Sequence, residues 1–217
     1  MRWFKFLTRS AEAADPAPPA PTAPAPREDA PPIASTPEQV GQFYDRTNEA
    51  FLKVYGEVIQ AFRTRDVGVL LDYQIASIGL TPGQHVLDAG CGVCGPALYF
   101  CRHANVTVEA VTVSAVQAQL AQQRIDAAGL NGRVAVRRAS YQDLASEFAP
   151  ESFDAVYFLE SFGHSDDIDR TLGAAWSVLK PGGTLYIKDL FRKVPGIAAH
   201  AHRIDAEIRK INAAYHY

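Results

Sequence analysis

Long apolar runs are missing from this sequence. No stretch reaches the roughly 18 consecutive apolar residues a membrane-crossing helix needs, so no segment reads as a span. A basic excess is missing too. Lys and Arg number 21 against 24 Asp and Glu, a net charge of −3, which offers no cationic surface for nucleic acid. Cysteine is scarce and odd in number. Cys91, Cys94 and Cys101 make no disulfide framework and fit a reducing compartment, so a cytoplasmic setting is expected. The Cys91-x-x-Cys94 spacing lacks the two further ligands of a metal site; the pair reads as small residues of a tight turn, and no metal is expected. Apolar residues, by contrast, make up 47 % of the chain, enough for the core of one ordinary domain plus a tail.

The tail is residues 1–35. From Ala11 to Ser35 it is dominated by Ala and Pro, with Ile33 its single large apolar residue. Proline removes backbone donors, and a segment with nothing to bury cannot offset its ordering entropy, so a disordered linker is expected. At its start, Trp3, Phe4 and Leu7 share a helical face opposite Arg2, Lys5 and Arg9. Either this is a frayed terminus, or residues 1–9 touch a membrane interface peripherally.

Residues 36–80 read as a helical cap. Ser35-Thr36-Pro37-Glu38 is a helix start with Pro in the first turn. Helical character continues to about Arg63, and a second helix runs from about Asp66 to Ile78 before the turn at Thr81-Pro82-Gly83. Tyr44 and Tyr55 either pack these helices together or close over a ligand, and a tyrosine face suits a cation.

Residues 81–217 alternate strands with helices: His85–Ala89, Thr107–Val113, Val134–Ala139, Phe153–Leu159 and Thr184–Leu190 are expected strands. This α/β alternation predicts a Rossmann-like parallel sheet with helices on both faces and the ligand-binding loops along one edge. The first strand ends Asp88-Ala89-Gly90-Cys91-Gly92-Val93-Cys94-Gly95. Gly90, Gly92 and Gly95 spell the dinucleotide pattern, a turn that presents helix N–H groups to a nucleotide-like cofactor. The acid that would hold a dinucleotide ribose about 20 residues on is absent: the next strand ends Val111-Thr112-Val113-Ser114, and Glu109 comes too early.

Asp88-x-Gly90-x-Gly92-x-x-Gly95 resembles motif I of class I S-adenosylmethionine-dependent methyltransferases. Four further stretches carry the resemblance between about Gln42 and Leu190. Thr112-x-Ser114-x-x-Gln117 and Ser140-Tyr141-Gln142-Asp143-Leu144 follow the second and third strands. Glu160-Ser161-Phe162-Gly163-His164 follows the fourth, and Leu179-Lys180-Pro181-Gly182-Gly183 precedes the fifth. Together with the Phe43-Tyr44-Asp45-x-Thr47 string they are similar to the cyclopropane-fatty-acid synthase, tocopherol and prenyl-diphosphate C-methyltransferase branch.

The resemblance implies S-adenosylmethionine as cofactor, held by Tyr44, Asp88, Gly90, Gly92, Gly95, Thr112, Gln117, Tyr141, Gln142 and Leu159. Thr112 stands where most of these enzymes carry a ribose-binding acid, and Ser140 where this branch carries an acid beside adenine. Ser114 also reads as an ordinary helix N-cap. The acceptor implied is a small apolar molecule, an isoprenoid or lipid carbon, with O- or N-methylation of a small metabolite as the alternative and an inactive methyltransferase-like subunit as a third. Glu160, a carboxylate at a strand end among apolar residues, is expected to be catalytic. His164 is either the base beside it or a loop histidine bonded to backbone. The family's sixth and seventh strands are expected to be missing, leaving an outer strand as an exposed edge.

Overall fold

The computed structural model describes residues 5–8, 35–61, 64–191, 206 and 208–210. In chain order the elements are β1 (Lys5–Thr8), α1 (Pro37–Tyr55), α2 (Val67–Ile78), β2 (His85–Ala89), α3 (Gly95–His103), β3 (Thr107–Thr112), α4 (Ala115–Ala128) and β4 (Val134–Arg138). They continue with α5 (Leu144–Glu147), β5 (Phe153–Leu159), α6 (Ile168–Val178) and β6 (Leu179–Lys188). One sheet has the order β1-β6-β5-β2-β3-β4. Strands β2 to β6 are mutually parallel, as the alternation of strand and helix requires.

Side-chain alternation along the strands builds two cores. Val86, Val108, Ala110 and Tyr157 face Leu71, Ile78, Phe100 and Ile125 of α2, α3 and α4. Leu87, Ala89, Val111, Val156 and Phe158 face Leu144, Ala175 and Val178 of α5 and α6. The central strands are apolar on both faces because both are covered. From β2 the chain winds outward through β3 and β4, then returns to the other side of β2 as β5 and β6. The reversal opens a crevice between the carboxyl ends of β2 and β5, where open α/β sheets bind ligands.

Three expectations are corrected. Helix α1 does not run to Arg63. It stops at Tyr55 because Gly56 takes φ +67° and bonds back to the Leu52 carbonyl, leaving residues 57–61 as an irregular segment over the glycine loop. The outer edge of β6 is not bare, since β1 pairs with it antiparallel, Lys5 opposite Tyr186 and Thr8 opposite Thr184. Residues 5–8 are therefore a strand where a helical or frayed start was expected; residues 1–4, with Arg2, Trp3 and Phe4 of the segment proposed for membrane contact, lie outside the described residues. Residues 9–34 lie outside the described residues. The expected terminal helix is described at 206 and 208–210, which are helical; the remainder of 192–217 lies outside. Among the described residues no helix is long and apolar enough to cross a membrane.

Candidate functional site

A cavity lined by Tyr44, Gln60, Asp88, Gly92, Gln117 and Glu160 opens at the β2–β5 crevice. Its floor is the glycine loop. Gly90 has φ +95°, and a Cβ there would meet Ser161 Oγ at 2.7 Å; Ser161 is itself tied to the Ala89 carbonyl. No other residue type combines that backbone with that clearance. Gly92 also lines the cavity, beneath Ile59 and Gln117. Gly95 does not. It opens α3 directly beneath the Glu57 backbone, whose carbonyl carbon would lie 2.6 Å from an added Cβ. Its smallness is needed for packing the 57–61 segment, not for a ligand's approach.

Asp88 is 2 % exposed and its Oδ2 has no well-aligned hydrogen-bond partner. Burial pushes its carboxyl up to about 8, against the opposing pull of the Tyr157 hydroxyl. The folded chain thus keeps this proton from about pH 4 to about pH 8, while the unfolded chain gives it up near 3.9. The unfolded state binds fewer protons in that window, so this group makes stability fall as pH rises. Urea denaturation at pH 5 and pH 8 checks this: the wild type is expected to lose stability relative to Asp88→Asn on going to pH 8, and an unchanged difference would refute it.

Thr112 and Gln117 form one wall. Thr112 Oγ1 donates to Gln117 Oε1 at 3.0 Å, and both are nearly fully buried. Ser114 is the N-cap of α4, accepting the Gln117 N–H at 3.0 Å. The opposite wall comes from the loop after β4. Tyr141 donates its hydroxyl to the Ser161 carbonyl at 3.1 Å, and the Gln142 amide is tied to Asp166 and Ser165. Leu159 ends β5 against the cavity.

Tyr44, from α1, closes the mouth. Its hydroxyl lies 2.9 Å from His164 Nε2, and the two rings meet edge to face at 5.5 Å. Burial first, then the carboxylates of Asp189 and Glu160, push the Tyr44 hydroxyl well above its ordinary value, so it keeps its proton. His164 is 7 % exposed. Asp189 accepts the Gly163 N–H at 2.9 Å, one residue away.

Glu160 lines the same cavity, but its carboxylate is committed. Lys188, at the end of β6 and 2 % exposed, forms an ion pair with Oε1. The Ala61 N–H donates to Oε2 at 2.7 Å. Lys188 Nζ also donates to Gln60 Oε1 at 2.7 Å, and so does Gln74 Nε2. This network fastens residues 57–61 down as the cavity's roof. Lys188 and Gln60 were not singled out from the sequence, although a lysine ending the apolar run Leu185–Ile187 next to a strand ending in Glu160 is a signal for such a pair.

The residues present offer a ligand polar contacts and an aromatic face. The floor is open where Gly92 lacks a side chain, the Asp88 carboxyl lies buried beside it, and the wall pairs Thr112 with Gln117. Among the described residues no group of His, Cys, Asp and Glu could hold a metal ion.

Comparison with known proteins bears on this site. A family profile described as a methyltransferase domain matches residues 87–187. An O-methyltransferase from Aspergillus nomiae, rstn1, is 32 % identical over 169 residues, covering 76 % of this chain and 69 % of that protein. The methyltransferase GfsG of Streptomyces halstedii is 31 % identical over 162 residues, covering 70 % of this chain; the chain spans 58 % of that protein's length. Among solved structures, the [4+2]-cyclase SpnF superposes with a TM-score of 0.69 at 28 % identity, covering 76 % of this chain and 64 % of that one.

Proposed function

Because the chain belongs to the class I S-adenosylmethionine-dependent methyltransferases, we propose that it methylates a hydroxyl group on a small, largely apolar acceptor, with Tyr44 and His164 removing the proton. The observation that carries this reading is the 2.9 Å contact between Tyr44 and His164 at the cavity mouth, set against a Glu160 whose charge Lys188 already balances. Methylating an alkene carbon leaves a cation that needs an anion or aromatic face beside it, and the ion pair takes Glu160 from that task. Methylating a hydroxyl needs a base, which the Tyr44–His164 pair supplies.

The residues that would hold the cofactor are Asp88, Gly90 and Gly92 on the floor, Thr112 and Gln117 on one wall, and Tyr141, Gln142 and Leu159 on the other. When bound, S-adenosylmethionine supplies a methyl carbon activated by a positive sulfur. The chain's own work is positioning, exclusion of water and proton transfer. Residues 57–61 and α1 cover the cavity. With His164 protonated on Nδ1, Tyr44 donates to His164 Nε2, and its oxygen can accept the proton of an acceptor hydroxyl. With the cofactor bound, the proton of an acceptor hydroxyl would pass to Tyr44 and the Tyr44 proton to His164, the methyl group passing to the acceptor oxygen and leaving the sulfur as a neutral thioether. Asp189, held by the Gly163 N–H one residue from His164, keeps a carboxylate on this side of the cavity.

A panel of apolar alcohols and phenols with S-adenosylmethionine, read by mass spectrometry, tests the reaction class. His164→Asn is expected to lower turnover by about 10²–10⁴ while S-adenosylhomocysteine still binds. Undiminished turnover in that variant, or methyl groups found on carbon, would overturn the reading.

A further inference from the structure

Adjacent residues of α1 reach opposite rims of the cavity. Tyr44 meets the loop after β5 at His164. Asp45 meets the loop after β3, where Ser114 Oγ donates to Asp45 Oδ1 at 2.6 Å and the Val116 N–H donates to the same oxygen at 3.0 Å. One turn earlier, a Cβ on Gly41 would lie 2.8 Å from the Val113 carbonyl, so α1 rests on this loop at two successive turns. The function proposed above uses Tyr44 and leaves Asp45 unexplained.

Building on that function, we infer that Asp45 is a positioning residue for the cofactor: it caps α4 from outside and thereby fixes the Thr112–Gln117 wall. Ser114 is fully buried. While donating to Asp45 it accepts the Gln117 N–H at 3.0 Å, so its hydroxyl rotor is fixed at both ends. Gln117 in turn accepts from Thr112 at 3.0 Å, and its Nε2 lies 4.0 Å from where a Gly92 Cβ would stand, over the cavity floor. The relay runs from α1 through Ser114 to the cavity wall, and a carboxylate at the positive end of α4 suits its dipole. Without Asp45 the Ser114 hydroxyl is left to reorient and the Val116 N–H loses its acceptor, which loosens the first turn of α4 that carries Gln117.

Calorimetry with S-adenosylhomocysteine tests this in the full chain, without needing the acceptor. Asp45→Ala is expected to bind about tenfold more weakly than wild type, in line with two lost charge-assisted bonds. Asp45→Asn keeps an oxygen that accepts both, and is expected to bind within about threefold of wild type. Such rescue separates a geometric role from a loss of bulk. Asp45→Ala binding as tightly as wild type would overturn the inference, as would Asp45→Asn binding as weakly as Asp45→Ala. Should Asp45→Ala not fold, Asp45→Glu keeps the charge but displaces the carboxylate by one methylene; affinity equal to wild type there would likewise overturn it. Wild type that fails to bind S-adenosylhomocysteine would sink the proposed function itself, whereas a bound wild type with an indifferent Asp45 sinks this inference alone.

Discussion

Gly95→Ala is expected to abolish cofactor binding and to cost about 3 kcal/mol of stability or more. The added methyl has no space. It would sit inside contact distance of the Glu57 carbonyl oxygen and 2.6 Å from the carbonyl carbon, and backbone cannot swing aside as a side-chain end can. The first turn of α3 is fixed by the sheet below it, so the 57–61 segment is the part that must move. Moving it takes Ile59 off the glycine loop and draws Gln60 away from Lys188 and Gln74. Gly173→Ala is the control: that glycine lies in α6 with nothing within 4 Å of an added Cβ, so alanine there should be neutral or stabilising by up to about 1 kcal/mol. Thermal melts and calorimetry with S-adenosylhomocysteine measure both. A Gly95→Ala protein that melts and binds like wild type would show that the roof does not rest on this glycine.

The other large effect concerns Glu160. Glu160→Leu is expected to destabilise the fold by about 3–5 kcal/mol, because it leaves the Lys188 ammonium buried without its counter-charge. Lys188→Met should cost a similar amount from the other side. Combining the two should recover most of the loss, since apolar residues of like volume often replace a buried pair without penalty. The signature is non-additivity in urea denaturation: a double variant more stable than either single one. Single variants as stable as wild type would mean the pair contributes nothing, and residues 57–61 would then need another anchor.

Much of the parallel sheet could be read from the chain, because the period of apolar residues and the strand-ending glycines are local signals. The cavity followed from it. Asp88, Thr112, Tyr141 and Glu160 stand at or just beyond strand ends, and parallel strands with right-handed crossovers deliver such ends to one edge. What escaped was pairing across long separations. Glu160 is expected from the sequence to be catalytic, and its ion pair is not legible there because Lys188 lies 28 residues on, in a strand that otherwise reads as core. Asp45 is 69 residues from Ser114, and nothing near either announces the contact. The end of α1 was misplaced for a different reason: residues 57–61 retain helical composition, and the stop is set by the backbone of Gly56. The pairing of β1 with β6 was invisible because a four-residue strand has no period to detect.

A helix clamped by two neighbouring residues to two different loops has restricted freedom. It cannot roll about its axis, because about 100° separates successive side chains and rotation that relaxes Tyr44 would strip Asp45 from Ser114. Nor can it slide lengthwise without breaking both contacts together. A lift of the helix away from the cavity breaks both rims' contacts together. Admission of a ligand as large as a nucleoside then becomes an all-or-none door-opening, so its arrival should be slower than diffusion and its departure gated by the same swing.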